Sequence, residues 1–217
     1  MAVPNRQIRS DAVRNRERLL AAAAQVFEEK GLEASVADVA RAAGVGMGTL
    51  YRRFASKEAL IEALVSDVLE ATIAMARDAA ARPDGLGLEH FLEESSSYQA
   101  EHLGCLPKLW MTDHHLVETA RDLIAELLSD AQAHGRVRSD LTSTDIAVVM
   151  WSMRGVLETT GANVPEARRR HLDLVIAGMR PTDEVLRHRP LSQDEVDRIL
   201  ARRYPSSSGV KCSEEKQ

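Results

Sequence analysis

The sequence contains few of the residues that build disulfide frameworks, β-sheets or membrane spans. Of its 217 residues, two are cysteine, seven are proline and 4% are aromatic. Cys105 and Cys212 are too few and too far apart for a disulfide framework, so nothing indicates an oxidising compartment. No stretch of about 18 uncharged apolar residues occurs, and the N-terminus has no apolar segment of signal-peptide length. We therefore expect a soluble, cytoplasmic chain.

The chain is instead rich in Ala, Leu, Arg and Glu, and 44% of it is apolar. These are good helix formers, and a chain of this length can bury a sizeable core, so the composition predicts an all-α fold. Helical periodicity and turn residues indicate nine helices, the first over 13–30 and a short one opening at Pro107. A further short helix is predicted after a capping box formed by Ser192 and Glu195.

The most informative stretch, from Ser35 to Leu60, predicts two short helices joined by a tight turn. Ser35 and Asp38 are predicted to cap the first helix, and Gly44 to end it, because glycine tolerates a left-handed backbone. One face of this helix is apolar, with Val36, Val39, Ala40 and Ala43. The second helix starts near Gly46 or Met47, and three of its residues are expected to pack against the first: Met47, Leu50 and Phe54.

The outer face of the second helix is small, hydroxyl-bearing and basic. It carries Gly48, Thr49 and Arg52, with Tyr51 and Arg53 on its flanks, and no acidic residue occurs from position 44 to 57. Such a face suits the major groove of DNA, where glycines permit close approach and arginines reach phosphates or base edges. Residues 1–60 hold ten Lys and Arg against seven Asp and Glu, although the whole chain has a net charge of -5. The positive charge is therefore concentrated around this motif.

This motif resembles that of the TetR family of transcriptional regulators. The matching residues are Ala40, Ala43, Gly44, Val45, Gly48, Thr49, Leu50, Tyr51, Phe54, Lys57, Glu58 and Leu60. The resemblance implies a three-helix helix-turn-helix DNA-binding domain at 13–56. A long fourth helix would join it to a helical ligand-binding and dimerisation domain, which together span 57–204. The chain departs from the family at Gly46, where Ser is usual, and at Arg53, where His or Tyr is usual; both positions bear on sequence preference.

Eight residues are the candidate DNA contacts: Ser35, Gly46, Gly48, Thr49, Tyr51, Arg52, Arg53 and Lys57. Two assignments have alternatives. Tyr51 also completes an apolar stripe, so its ring can pack while its hydroxyl meets DNA. For Arg52 and Arg53, the alternative is a solvent-exposed surface that does not contact DNA. Lys57 follows the predicted cap Ser56 at the start of the fourth helix, where its ammonium would point toward the DNA backbone.

The segments around this domain are also predicted from composition. Residues 1–12 are expected to be a flexible basic arm, in which Arg6 and Arg9 either reach DNA or belong to a solvated tail. Residues 205–217 lack periodicity, so we expect a flexible tail. The fourth helix is apolar on two sides, which predicts that it lies between two layers and joins the DNA-reading part to the rest.

The resemblance further implies a small-molecule pocket among helices four to eight. The candidate lining consists of large or soft apolar groups with three polar anchors: Met75, Phe91, Tyr98, Trp110, Met111 and Trp151, with His102, His114 and Arg154. Taken singly, each apolar residue is more typical of a core than of a ligand site.

A dimer interface is predicted on the last two large helices. Small or apolar residues follow the side of each helix that faces away from its core stripe: Val148, Ser152, Gly155 and Thr159 on one, Leu174, Ala177 and Gly178 on the next. A four-helix interface of this kind is what the resemblance implies. The alternative is that these residues pack inside the monomer.

The sequence contains no complete motif for a metal site, a dinucleotide-binding site or a catalytic site. His102, Cys105, His114 and His115 match no zinc spacing, and the glycines at 44–48 follow a helix rather than the strand of a dinucleotide-binding fold. No nucleophile with its base is apparent, so we expect no catalytic residue, metal or cofactor. The sequence itself supplies the DNA-reading element, and the TetR resemblance implies a homodimeric repressor released from a palindromic operator by a small molecule. A helical interaction adaptor or a helical-bundle enzyme is the alternative.

Overall fold

The computed structural model of the chain describes residues 4–31, 33–101, 114–161 and 164–203. Within these ranges the structure consists of nine helices without any strand, which confirms the all-α prediction. They are α1 (Pro4–Lys30), α2 (Val36–Ala42), α3 (Met47–Arg53), α4 (Lys57–Ala80), α5 (Gly87–Glu101), α6 (His114–Ala133), α7 (Ser143–Thr160), α8 (Pro165–Met179) and α9 (Gln193–Arg203). The helix predicted at Pro107 and the tail predicted at 205–217 lie outside these ranges. No described helix is long and apolar enough to cross a membrane.

The first helix is longer than the sequence indicated. α1 begins at Pro4, so residues 4–12, which we expected to belong to a flexible arm, are helical. Proline is favoured in the first turn of a helix, where its missing N–H is not needed, and no glycine or further proline interrupts α1. The expected arm is therefore corrected over this segment, because local helix propensity outweighs the general tendency of termini to fray.

Helices α1, α2 and α3 pack around a first core together with the start of α4. Its fully buried members include Leu19 and Phe27 of α1, Leu50 of α3 and Leu60 of α4. This burial removes the apolar faces of two short helices from water, without which helices of seven residues would not persist.

Helix α4 takes part in two cores. Its first half, through Leu69, belongs to the first core, which also receives Val117 from α6. Its last turns contribute Ala76 and Ala79 to a second core with α5, α6, α7 and α8. Each core takes residues from both predicted apolar sides of this helix, Ile61 and Leu64 in the first core and Ala79 and Ala76 in the second.

The second core is built on fully buried side chains of α5 and α7, including Phe91, Leu92 and Met153. Arg168 of α8 is also buried, and its Nη1 donates to the hydroxyl of Ser96 on α5 at 3.0 Å. This contact ties α8 to α5 beneath the outer surface that α7 and α8 share.

Helix α9 folds back onto this domain. The predicted capping box is present, because Glu195 accepts from the Ser192 amide at 2.8 Å and the Ser192 hydroxyl accepts from the Glu195 amide at 3.3 Å. Hydrogen bonds from Arg189 first, then from the Ser192 amide, lower the pKa of Glu195 to about 2. Val196 is buried, and Thr144 of α7 donates to the Leu191 carbonyl at 2.8 Å. The segment is therefore held against α7.

The turn between α4 and α5 is packed closely against α6. A Cβ added at Gly87 would lie 2.7 Å from the Ala79 carbonyl oxygen and 2.9 Å from a methyl of Leu127. Gly85 combines a φ of 71° with close approach to His134. The fold itself requires glycine at this corner.

Candidate functional site

Helices α2 and α3 form the predicted helix-turn-helix, and its first cap is present in full. The Ser35 hydroxyl oxygen accepts from the Asp38 amide at 3.1 Å and its proton is donated to the Asp38 carboxylate at 2.7 Å. The hydrogen bond that the carboxylate accepts from the Ser35 hydroxyl, and then the one from Lys30 of α1, lower the pKa of Asp38 to about 2. Ser35 is exposed, but its hydroxyl is engaged in starting α2.

The turn between the two helices is held from both sides. Gly44 has a φ of 65°, and the Val45 amide donates back to the Ala40 carbonyl at 3.0 Å, which closes the end of α2. Arg18 of α1 donates to the Ala43 carbonyl at 2.9 Å. The entry to α3 is therefore positioned by α1 as well as by α2.

Helix α3 is anchored by its C-terminal half. Leu50 is fully buried and Phe54 is nearly so, as predicted. Met47, which we expected to pack with them, is 38% exposed, and Tyr51 is 49% exposed. In a helix of two turns the core reaches only Leu50 and the cap residue Phe54, so the first turn projects beyond it. The predicted apolar stripe is thus corrected at Met47.

Basic and small groups occupy the exposed surface of α3. Arg52 donates through Nε to the Gly48 carbonyl at 3.0 Å and through Nη2 to the Thr49 hydroxyl at 3.2 Å. Its guanidinium is therefore held along the helix, which reduces the rotamer entropy that a further contact would cost. Arg53, at the end of the same helix, is also exposed.

The two glycines at the start of α3 are not required by packing. A Cβ added at Gly46 or Gly48 would meet no atom within 4 Å, and neither residue has a positive φ. Gly46 caps the helix without a side-chain hydrogen bond. The space next to these glycines lies outside the protein, where another molecule can approach the backbone.

Lys57 is the first residue of α4 and follows α3 closely. The Ser56 hydroxyl accepts from the Ala59 amide at 3.1 Å, as predicted for the cap. The N-terminus of a helix carries a partial positive charge, and Lys57 is half-buried there. Two cationic features, the start of α4 and the exposed arginines of α3, are thus separated by three residues of chain.

A second candidate site is a cavity between the two cores. It adjoins a second cavity, and the two share part of their lining. The first is lined by Val68, Leu69, Thr72, Gln99, Val117, Ala120, Arg121, Ile124, Met150, Trp151 and Arg154. The second shares Arg121, Ile124, Met150 and Trp151 with it and adds Ser143, Thr144, Ala147, Gln193, Val196 and Leu200.

The predicted ligand residues fall in different places. Trp151 and Arg154 line the first cavity. Phe91 is fully buried in the second core, Met75 packs against that core, and the half-buried Tyr98 is not part of either lining. His102, Trp110 and Met111 lie outside the described residues, and the His114 side chain is likewise not described.

Most of the lining was not identified from the sequence. Val68 and Thr72 were on a predicted apolar side of α4, which is a usable signal once a cavity is expected next to that helix. Arg121, Gln99 and Ala120 carry no such signal, because only the packing of α5 and α6 against α4 brings them together.

The predicted dimer residues form an outer surface of α7 and α8. Leu174 is 59% exposed and Val148 is 41% exposed, and Gly155, Thr159, Ala177 and Gly178 are exposed as well. Ser152 is half-buried and shares a 2.9 Å hydrogen bond with His171 of α8. Most of these small residues therefore lie outside the core of the monomer.

The residues considered for a metal site do not come together in the described part of the chain. No group of three or more His, Cys, Asp or Glu side chains with metal-binding geometry occurs there. His102 and Cys105 fall outside the described ranges, and His115 is exposed at the start of α6.

Comparisons with known sequences match both halves of the chain. The family model for bacterial regulatory proteins of the tetR family matches residues 19–64. The family model for the C-terminal domain of SbtR-like transcriptional regulators matches residues 87–181. The chain is 30% identical over 171 residues to the HTH-type transcriptional repressor KstR2 of Mycolicibacterium smegmatis, covering 71% of this chain and 80% of that protein. A match to the uncharacterized HTH-type transcriptional regulator YvdT of Bacillus subtilis is 45% identical but spans only 26% of this chain and 30% of that regulator.

Solved structures agree with these matches. The TetR transcriptional regulator SCO0520 from Streptomyces coelicolor has a TM-score of 0.58 and 31% identity, and the match covers 77% of this chain and 99% of that one. The TetR transcription regulatory protein from Mycobacterium vanbaalenii has a TM-score of 0.60 and 29% identity, with coverage of 80% and 99%.

Proposed function

The chain belongs to the TetR family of bacterial transcriptional regulators, and on that premise we propose that it is a homodimeric repressor. It binds a palindromic operator through α3 and the start of α4. A small molecule that enters the cavity between the two cores releases it. The proposal involves no catalytic step and no cofactor.

The observation that carries DNA binding is the exposed surface of α3. Its only charged groups are arginines, its glycines leave the backbone open to approach, and Leu50 and Phe54 hold it on the first core. A helix presented in this way fits the major groove, where Arg and Thr contact phosphates and base edges. Lys57 and the amides at the start of α4 would bind a neighbouring phosphate.

A gel-shift titration against DNA flanking the chain's own gene tests this function. A palindromic fragment should be shifted at lower protein concentration than a scrambled fragment of equal length. The affinity for the palindrome should fall steeply with salt, because phosphate contacts release counterions. Equal affinity for both fragments at all salt concentrations would contradict sequence-specific binding.

Dimerisation would occur through the outer surface of α7 and α8. Exposed Leu174 and Val148 are large apolar groups next to small residues, and small residues let helices of two subunits approach closely. The TetR resemblance supports a four-helix interface here. Two such subunits would place their α3 helices about 34–36 Å apart, or one turn of DNA.

The position of the cavity supports ligand control. Leu69 and Val117 of its lining belong to the first core, whereas Ile124 and Met150 belong to the second. A ligand between them would move α4 and α6 apart. Next to Val68 on α4, Asp67 holds Arg16 of α1 through contacts of 2.9 and 3.2 Å.

This ion pair offers a test of the coupling. α1 in turn holds the turn before α3 through Arg18, so displacement of α4 would reach the DNA-reading helix. By linkage, ligand and operator should weaken each other's binding by the same factor, typically about 5 to 150. Asp67→Asn should reduce that factor while both separate affinities persist. An unchanged factor in the variant would show that coupling does not depend on this pair.

A further inference from the structure

Among the described residues, every charged side chain that lines the cavity is cationic. Arg121 and Arg154 both line it, and no Asp or Glu occurs among its described lining residues. The other polar members of the first cavity are the neutral Thr72 and Gln99. Around them the walls are apolar, with Val68, Ile124 and other aliphatic side chains, and Trp151 at the boundary with the second cavity.

Each arginine is paired with an acid that does not line the cavity. Arg121 donates through Nη2 to Asp197 of α9 at 2.8 Å, and Arg154 donates through Nε to Glu158 one turn along α7 at 2.7 Å. A guanidinium has five N–H donors in a planar fork, so Arg121, which donates to Asp197 through one nitrogen, can turn other donors toward a second anion. Both side chains are partly shielded from water, with exposed fractions of 34% and 12%.

These features select for one class of ligand. An apolar body gains free energy by leaving water for the aliphatic walls, and an anionic group gains charge-assisted hydrogen bonds from guanidinium groups. A cationic ligand would meet two positive charges without a lining carboxylate. Resting on the proposed ligand-responsive function, we propose that the cavity binds an amphipathic acid, with an apolar body and one carboxylate or phosphate held by Arg121, while Arg154 adds positive charge to the same lining.

The acid would compete with Asp197 for Arg121. Asp197 also accepts from Gln193 at 3.0 Å, so it keeps one donor when Arg121 turns to a ligand. The second cavity is lined in part by Gln193, Val196 and Leu200 of α9. The same exchange would therefore weaken the packing of α9 against α6. This competition predicts opposite effects for the two members of one ion pair.

Calorimetric titration of the full chain with matched probes tests the ligand class. The pairs are octanoate with 1-octanol and 2-naphthoate with 2-naphthalenemethanol, and octyl phosphate separates a phosphate from a carboxylate ligand. In at least one pair the acid should bind about tenfold tighter than its neutral partner, or 1.4 kcal/mol. Octyl phosphate binding tighter than octanoate would assign the anionic group as phosphate, and the reverse order as carboxylate. Neutral partners that bind as tightly as the acids would overturn the proposal.

Three variants distinguish recognition from packing. Arg121→Gln should reduce the preference for the acid below about twofold without changing the affinity for the alcohol. Asp197→Asn breaks the same ion pair but should strengthen acid binding severalfold, because it removes the competitor. Arg77→Gln, on the exposed side of α4, is the matched control and should change neither affinity. Weaker acid binding in both Arg121→Gln and Asp197→Asn would mean that the acid responds only to the packing of α9 against α6. That result would overturn the proposal.

A separate measurement of operator binding distinguishes a failure of this ligand proposal from a failure of the proposed repressor function. If no acid binds while the gel shift with the palindrome persists, the ligand class is wrong and DNA binding stands. If an acid binds with the expected preference but no operator is shifted, the cavity assignment stands and the proposed repressor function is wrong.

Discussion

The DNA-reading half and the cavity half of this protein assemble their sites in different ways. On α3 the candidate contacts lie within seven consecutive residues, and Arg52 is held by groups three and four positions earlier in the same helix. The cavity draws its lining from α4, α5, α6, α7 and α9, from residue 68 to residue 200. The first site is exposed and local, so a substitution there should change binding without changing the fold. The second lies between packed helices, where binding and stability are coupled.

The largest expected effect is on the outer surface of α7 and α8, through which we propose that two subunits join. Gly155→Arg introduces a long cation where a Cβ meets no atom of the same chain within 4 Å, so the monomer can fold around it. We expect sedimentation to show monomers, and operator affinity to fall by about 100-fold or more because one head replaces two.

Two controls sharpen the Gly155→Arg experiment. Gly155→Ala should remain dimeric, and so should Ala125→Arg, which places the same new charge on an exposed position of α6. A Gly155→Arg protein that sediments as a folded dimer would place the interface elsewhere.

Two glycines separate what the fold requires from what DNA requires. Gly87→Ala puts a methyl group 2.7 Å from a backbone oxygen, so we expect it to lower the free energy of unfolding by about 1–3 kcal/mol. Gly48→Ala meets nothing in the protein, and alanine favours helix, so its stability should be unchanged or slightly higher. Operator affinity should nevertheless fall in Gly48→Ala if the α3 backbone approaches DNA.

Denaturant unfolding and the gel shift, measured on both proteins, decide between these roles. Full operator affinity in Gly48→Ala would argue against close approach at this position. Unchanged stability in Gly87→Ala would mean that the turn between α4 and α5 can relax without cost.

A smaller effect is expected at Arg52. Arg52→Ala removes a guanidinium that is held over α3, and the loss of one DNA contact should weaken binding by about 1–3 kcal/mol. If the contact is to a phosphate, the slope of log affinity against log salt should fall by about one. Thermal unfolding should be nearly unchanged, because the side chain is exposed. An unaltered affinity and salt slope would support the alternative of a merely solvated face.

The smallest expected effect compares acid sensitivity in the two halves. Asp38 in α2 and Glu195 in α9 have pKa values of about 2, below their ordinary values of 3.8 and 4.5. The unfolded chain therefore takes up protons that the folded chain does not. Their contribution to stability is present above about pH 4.5 and is lost as the pH falls toward 2.

The variants Asp38→Asn and Glu195→Gln should each flatten the dependence of unfolding free energy on pH within this window. Circular dichroism during denaturant titration at several pH values measures that slope. A slope equal to that of the unaltered protein would show that the cap concerned does not contribute.

Several local features were predictable because their cause lies in neighbouring residues. The capping boxes at Ser35 and Ser192, the left-handed turn at Gly44 and the cap at Ser56 all depend on contacts within a few positions of the chain. Apolar spacing gave a wrong prediction at the edge of the first core. Met47 fits the apolar spacing of α3, yet the core stops at Leu50. At α1, a general expectation about termini led to a helix start that was nine residues too late.

The sequence by itself determined the positions of most described helices, the acid-free surface of α3 and the motif that assigns the TetR family, because each depends on side chains close together along the chain. Tertiary structure alone decided which residues line the cavity and that Arg121 lies between Asp197 and that space. The physical reason is distance along the chain. Burial and the meeting of charges depend on how α4, α6, α7 and α9 pack, and helical periodicity states only which face of a helix is apolar, not which helix covers it.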